Sequence, residues 1–214
     1  MKAKIKVKTT SNSKTKTLRL TSTNPNSKVE YDIPEKLDDA DNINQFLADN
    51  KNKKVIVVQG LGFVGTVMCL VCANSEDKDY AVIGVDLPDE KSYWKIRSLN
   101  EGVFPLTAED PKIEKFFREV RKKNQFYATY DPYAYSVADV VVVDINLDVH
   151  KQTGKRLELL NYDVDLTGFN KAMKSIGDLC KENVLVLVET TVPPGTCETV
   201  VSPILKQGLE LRGL

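Results

Sequence analysis

The feature that most constrains this chain is an alternation that begins at Lys54. Short runs apolar at almost every position alternate with longer amphipathic stretches. VIVVQ (55–59), YAVIGVD (80–86), FYATY (126–130), ADVVVVDI (138–145) and VLVLVET (184–190) read as strands. A strand with one wet face alternates apolar and polar residues. A strand apolar on both faces belongs to a parallel sheet covered by helices on both sides. Helical stretches stand between these runs at 62–74, 89–100, 111–124 and 165–181, the last with Leu166, Phe169, Met173 and Ile176 at helical spacing. A further helix is expected over 195–207, after Pro193 and Pro194. This order implies right-handed crossovers and an α/β fold with a doubly wound, mostly parallel sheet. A ligand then sits at the carboxyl ends of the strands, where strand order reverses.

The alternation sets the expected division of the chain: an N-terminal extension over 1–52 and one domain over 53–214. Within the extension, residues 9–28 are rich in Ser, Thr, Asn and Lys. That composition predicts a mobile or weakly ordered stretch. A short strand is expected at Val29–Ile33 and a short helix at Ile43–Ala48. Eight basic residues and no acid precede Glu30, which fits a solvated tail or an edge ribbon guarded by lysines better than a nucleic-acid arm. Thirty basic residues balance thirty acidic ones, so net charge argues for neither nucleic acid nor membrane as a partner. No apolar run reaches the ~18 residues of a membrane helix, and no hydrophobic stretch follows the basic start. The expected location is the cytoplasm.

Four cysteines are present, at 69, 72, 180 and 197. Cys69 and Cys72 form a CxxC, but no second pair accompanies it and His150 is the single histidine. Zinc needs more ligands than that. VMCLVCA reads instead as one buried helix with small apolar thiols against the sheet, and no metal site is expected.

The strongest local signal is Gly60-Leu61-Gly62-Phe63-Val64-Gly65. Glycine spacing of this kind is weak evidence alone; here it follows a strand and opens a helix, the context its mechanism requires. Gly60 permits the tight turn, Gly62 lets backbone approach a pyrophosphate, and Gly65 lets helix pack on strand. The amides of Phe63 and Val64 at the helix N-terminus face the phosphates. Asp86 ends the second strand, 21 residues after Gly65. A carboxylate there accepts hydrogen bonds from the adenosine ribose hydroxyls and repels a 2′-phosphate, which points to NAD rather than NADP. Turn and acid together identify a Rossmann dinucleotide-binding domain. The alternative, a turn used only for packing with Asp86 as a helix cap, leaves their joint spacing unexplained.

GLGFVG, GVDLPDEK, LNEGVFPL, ADVVVVDINLD and VLVLVETTVPPGT together resemble the UDP-glucose/GDP-mannose dehydrogenase family, from about Val55 to about Leu205. VETTVPPGT is the most specific piece. The resemblance implies oxidation of the C6 alcohol of a nucleotide sugar, such as a UDP-sugar, to a carboxylate in two steps with two NAD. In that family a cysteine thiolate holds the aldehyde stage as a thiohemiacetal and then a thioester. It also implies a homo-oligomeric parent protein. By position, Gly60, Gly62, Phe63, Val64 and Gly65 bind the pyrophosphate, and Asp86 holds the ribose. Lys91 falls where the family often has a basic residue near that ribose. Thr190 and Thr191 stand beside the nicotinamide, and Thr191 matches a threonine that positions the active-site water. For Thr191, a hydroxyl that merely satisfies backbone at a strand end weighs equally.

Two departures qualify the resemblance. After the fourth strand the family has Val-x-Thr-Pro, where this chain has Ile145-Asn146-Leu147-Asp148. Leu147 offers no hydroxyl, which leaves Asn146 as the substitute contact to NAD. The family's catalytic cysteine, lysine and asparagine match no residue here, and Cys197, the cysteine nearest Thr191 in sequence, reads as a buried helix residue. The chain is therefore expected to be a truncated, inactive piece that keeps the NAD site. The alternative is a standalone NAD-binding regulatory module.

Overall fold

The computed structural model describes residues 19–107, 109–147, 149–156 and 158–214. Strands β1 (Thr21–Thr23) and β2 (Glu30–Asp32) form an antiparallel ribbon, followed by α1 (Ala40–Asp49). Next come β3 (Lys54–Gln59), α2 (Phe63–Ala73), β4 (Tyr80–Val85), α3 (Tyr93–Glu101), α4 (Pro111–Lys123), β5 (Phe126–Thr129) and the single turn α5 (Ala134–Val137). Strand β6 (Val140–Val143) is followed by an antiparallel hairpin of β7 (Val149–Thr153) and β8 (Leu159–Val164). The chain then runs through α6 (Thr167–Leu179), β9 (Leu185–Val188), a π-helical turn (Cys197–Val201) and α7 (Ser202–Glu210).

β3, β4, β5, β6 and β9 form one parallel sheet in the order β5-β4-β3-β6-β9. The order reverses beside β3, so the crevice between the carboxyl ends of β3 and β6 is the switch point. Successive side chains alternate across the sheet. Val55, Val57, Ala81, Ile83, Val141 and Val143 pack on one face against Phe169, Met173 and Ile176 of α6. Ile56, Val58, Val82 and Val142 pack on the other against Leu70 of α2, Ile96 and Leu99 of α3, and Phe117 and Val120 of α4. The doubly wound sheet read from the strand composition is the observed one.

Several elements differ from expectation. Within the Ser/Thr/Asn-rich stretch expected to be weakly ordered, residues up to 18 lie outside the described residues. The remainder holds β1 and a turn in which the Asn24 carboxamide oxygen accepts from the amides of Asn26 and Ser27 at 2.9 and 3.1 Å. Local polarity predicted disorder; side-chain bonds to residues some 70 positions away, described below, supply the order. The short helix expected near Ile43–Ala48 is α1, and Ile43 and Phe46 are buried in the same core layer as Val57 and Ile83. Phe46 stacks on Tyr127 with centroids 5.9 Å apart. α3 starts at Tyr93 rather than near 89, because the Asp89 carboxylate takes the amides of Lys91 and Ser92 into a turn first. The hairpin of β7 and β8 had no counterpart in the sequence reading. β9 is one of the two edge strands, and Leu185 and Leu187 on one face stay 53% and 41% exposed, so full cover on both faces does not extend to it. Among the described residues, no helix is long and apolar enough to cross a membrane.

Candidate functional site

The three glycines of the turn do three different things. Gly60 has φ +102°, and a Cβ there would stand 2.2 Å from the Asp144 carbonyl oxygen. Its amide donates to Val85 O at 2.8 Å, which fixes the turn against β4. A Cβ on Gly65 would stand 1.9 Å from Gly60 O, so α2 lies directly on the turn. Gly62 is the opposite case: a Cβ would meet nothing within 4 Å. Gly60 and Gly65 are required by the protein's own packing, whereas at Gly62 the space is open. Gly62 caps α2 in an extended conformation, and the first intrahelical bond runs from Thr66 N to Gly62 O. The amides of Phe63, Val64 and Gly65 precede that bond and carry the positive end of the helix dipole. Phe63 and Val64 are about half exposed, so this end of α2 borders the open space. The cradle has the shape and polarity a pyrophosphate requires.

Asp86 follows β4 and turns back toward the glycine turn. Its Oδ2 accepts from Leu61 N at 3.2 Å and its Oδ1 from Leu87 N at 2.8 Å. Lys95 Nζ lies 2.6 Å from Oδ2, with both side chains largely buried. Lys95 stands in the first turn of α3, a residue the sequence reading passed over. Nine positions separate it from Asp86, so only the fold of the intervening loop brings them together. Lys91 lies exposed on that loop, its amide donating to the Asp89 carboxylate and its carbonyl accepting from Trp94 Nε1.

The far side of the crevice is built by the ends of β6 and β9. Thr190 is buried, and its hydroxyl accepts from Ile145 N at 2.8 Å and donates to Val143 O at 3.3 Å. That hydroxyl ties the two strand ends together. Thr191 and Asn146 are exposed at the same edge. Leu147 packs partly into the core layer under α6, as an apolar side chain would. The structure thus brings Gly60–Gly65, Asp86, Asn146, Thr190 and Thr191 to one edge of the sheet, with Lys91 on a neighbouring loop.

Asp144, at the end of β6, is not among the site residues read from the sequence. Its Oδ2 is buried without a hydrogen-bond partner, beneath the helix that opens at the turn. Burial pushes its carboxyl above the ordinary carboxylate range, and the charge of Glu189 adds to the effect. The Oγ1 of Thr66, in the first turn of α2, is likewise buried and unpartnered.

The cysteines divide. Burial pushes the Cys69 and Cys72 thiols up, away from the thiolate a nucleophile needs. Cys180 is buried beside Arg212. Cys197 is exposed, contrary to the expectation of a buried helix residue. The segment begins with a π-helical turn, and there Val201 and Thr196 take the inward positions instead.

Residues 53–213 match the UDP-glucose/GDP-mannose dehydrogenase family, NAD binding domain. A UDP-N-acetyl-D-glucosamine 6-dehydrogenase from Pseudomonas aeruginosa is 30% identical over 164 residues, covering 76% of this chain and 33% of that protein. The structure of an NDP-N-acetyl-D-galactosaminuronic acid dehydrogenase from Methanosarcina mazei Go1 superposes with a TM-score of 0.62 at 27% identity, covering 78% of this chain and 33% of that one. A ternary complex of GDP-mannose dehydrogenase from Pseudomonas aeruginosa gives 0.55 at 27% identity, over 72% and 32% of the two chains. The chain spans about a third of the length of these relatives. The cofactor of the matched domain is NAD, and the chain belongs to the UDP-glucose/GDP-mannose dehydrogenase family, with residues 53–213 as its NAD-binding domain.

Proposed function

We propose that this chain supplies the cofactor-holding part of an enzyme that oxidises the C6 alcohol of a UDP-sugar to a carboxylate. The single observation that carries the site assignment is the contrast at the turn. Gly60 and Gly65 are filled by protein, while Gly62 faces open space beside the α2 amides and Asp86. The amides of Phe63 and Val64 hold the pyrophosphate across Gly62, and Asp86 accepts from the ribose hydroxyls. Lys95, rather than Lys91, is the basic residue that orients this carboxylate. Asn146 reaches the cofactor from the end of β6. Thr190 fixes the strand ends on which Thr191 presents its hydroxyl to the active-site water. NAD, when bound, supplies the hydride acceptor.

The UDP-sugar assignment rests on the relatives' chemistry and on VETTVPPGT. No cysteine of the 214-residue chain stands in a motif matching the family's nucleophile, so this chain is expected to bind NAD without turning over a sugar. Calorimetric titration with NAD tests the first half. Absorbance at the reduced-nicotinamide band, with UDP-glucose, UDP-N-acetylglucosamine and UDP-N-acetylmannosamine each in excess, tests the second. Turnover with any of them would refute the inactive reading and direct attention to the exposed Cys197.

A further inference from the structure

We propose that the N-terminal ribbon, which precedes the matched family region, is a working part of the cofactor site, with Ser22 as a positioning residue for Lys95 and Asp86. The inference rests on the assignment of Asp86 to the adenosine ribose.

α3 begins without a cap of its own: Ser92, at its N-cap position, makes no side-chain capping bond. The amides of a first helical turn need acceptors from elsewhere. The amide of Trp94 finds one in the hydroxyl of Ser22, 72 residues earlier, at 3.0 Å. The same hydroxyl donates to the Glu90 carbonyl at 2.9 Å. Ser22 is completely buried. One oxygen therefore clamps both the loop leaving Asp86 and the helix that the loop enters. Asn24 Nδ2 donates to Ser98 Oγ at 3.4 Å, and the Tyr31 hydroxyl donates to Glu101 at 3.0 Å. Arg97 lies over the Tyr31 ring, 5.6 Å from its centroid. The ribbon is thus stitched along one side of α3.

Lys95 follows Trp94 directly, and its ammonium lies on Asp86. Asp86 in turn holds the amide of Leu61 inside the glycine turn. Ser22, the first turn of α3, Lys95, Asp86 and the turn form one unbroken series of contacts. With the cap in place, Lys95 fixes which way the Asp86 carboxylate presents its remaining lone pairs to the ribose hydroxyls. Without it, the first turn of α3 loosens and Lys95 has solvent as an alternative partner, so the carboxylate loses its fixed direction. A strap that only stabilised the fold would do none of this.

Trp94 is the single tryptophan of the chain and sits at the clamp, so its emission reports on this site alone. The experiment titrates ADP-ribose, which lacks the nicotinamide, into the 214-residue protein and follows Trp94 emission, with melting temperature recorded for every variant. Ser22→Ala is expected to weaken ADP-ribose about fivefold, the scale of a lost helix cap. Ser22→Cys, nearly isosteric with a weaker hydrogen-bonding group, is expected to give an intermediate loss and serves if the alanine variant folds poorly. In a Lys95→Met background, Ser22→Ala is expected to lower the melting temperature as before but to leave the affinity of that background unchanged. Equal ADP-ribose affinity for wild type, Ser22→Ala and Ser22→Cys would overturn the proposal, leaving the ribbon a strap. Additive losses from Ser22→Ala and Lys95→Met would overturn it as well. Asp86→Asn is the control on the underlying assignment. If it too leaves ADP-ribose affinity unchanged, the ribose reading has failed. If it weakens binding while Ser22→Ala does not, only the role of Ser22 has failed.

Discussion

Substituting the glycines of the turn one at a time separates ligand space from packing space. At Gly62 an added side chain meets no protein atom within 4 Å, and φ −71° with ψ −170° is backbone any residue adopts. Gly62→Val therefore costs the fold only the difference in N-cap preference, about 1 kcal/mol at most. In a chain of this size that lowers the melting temperature by about 2–4 °C. The branched side chain occupies the space over which the α2 amides reach the pyrophosphate. Loss of two such contacts weakens NAD about a hundredfold, ~2.7 kcal/mol. At Gly65 a Cβ would overlap Gly60 O at 1.9 Å, backbone that cannot yield without moving the turn. Gly65→Ala is expected to cost about 3 kcal/mol, the upper range for overpacking, and to lower the melting temperature by about 6–12 °C. Circular dichroism melting with calorimetric NAD titration reads both. NAD affinity unchanged in Gly62→Val would show that the turn serves packing only, and a benign Gly65→Ala would refute the stated contact between helix and turn.

Three further outcomes follow from named residues. Asp86→Asn removes the charge that repels a 2′-phosphate and frees Lys95 to meet one, so NADP affinity relative to NAD should rise at least about tenfold, ~1.4 kcal/mol, in paired titrations. Asp144 carries a raised pKa, so the folded state disfavours its charged form. The penalty is absent below the unfolded carboxylate value, about pH 4, and grows as pH rises through the folded value. Asp144→Asn should leave the melting temperature unchanged at low pH and raise it at neutral and alkaline pH; a gain at low pH only would reverse the sign. Phe46→Ala empties a buried, stacked position of α1. It should cost about 3–5 kcal/mol by urea denaturation if α1 belongs to the core, and near zero if α1 is an appendage.

The sheet and the glycine turn were legible because their signals are local. VIVVQ and VVVV have no polar side to put in water, so both faces had to be covered, and they are. The turn was readable for the same reason: Gly60 and Gly65 each answer a steric demand set within a few residues or by the adjoining strand, and Gly62 stands between them at the start of the helix. The exposed face of β9 shows the limit of that logic. Leu185 and Leu187 carry the same local signal as Val141 and Val142, yet their face of β9 stays open, and composition does not reveal which strand face lacks a covering layer.

The N-terminal ribbon and Lys95 were illegible for the complementary reason. Ser22, Asn24 and Tyr31 sit in a stretch whose polarity, read locally, predicts disorder, since it buries too little apolar surface to offset the entropy of ordering it. What orders it is a set of polar groups matched to partners on α3 and on the loop that enters it, and those partners are 68 to 74 residues away. Such matching is worth most where water is excluded, because the unmade bond is then costly. Ser22, fully buried with two bonds to backbone, meets that condition. Lys95 shows the same principle at the site itself. On the helix it is one basic residue among several, and only the turn at Asp89 and the clamp at Ser22 set α3 at the angle that lays its ammonium on Asp86.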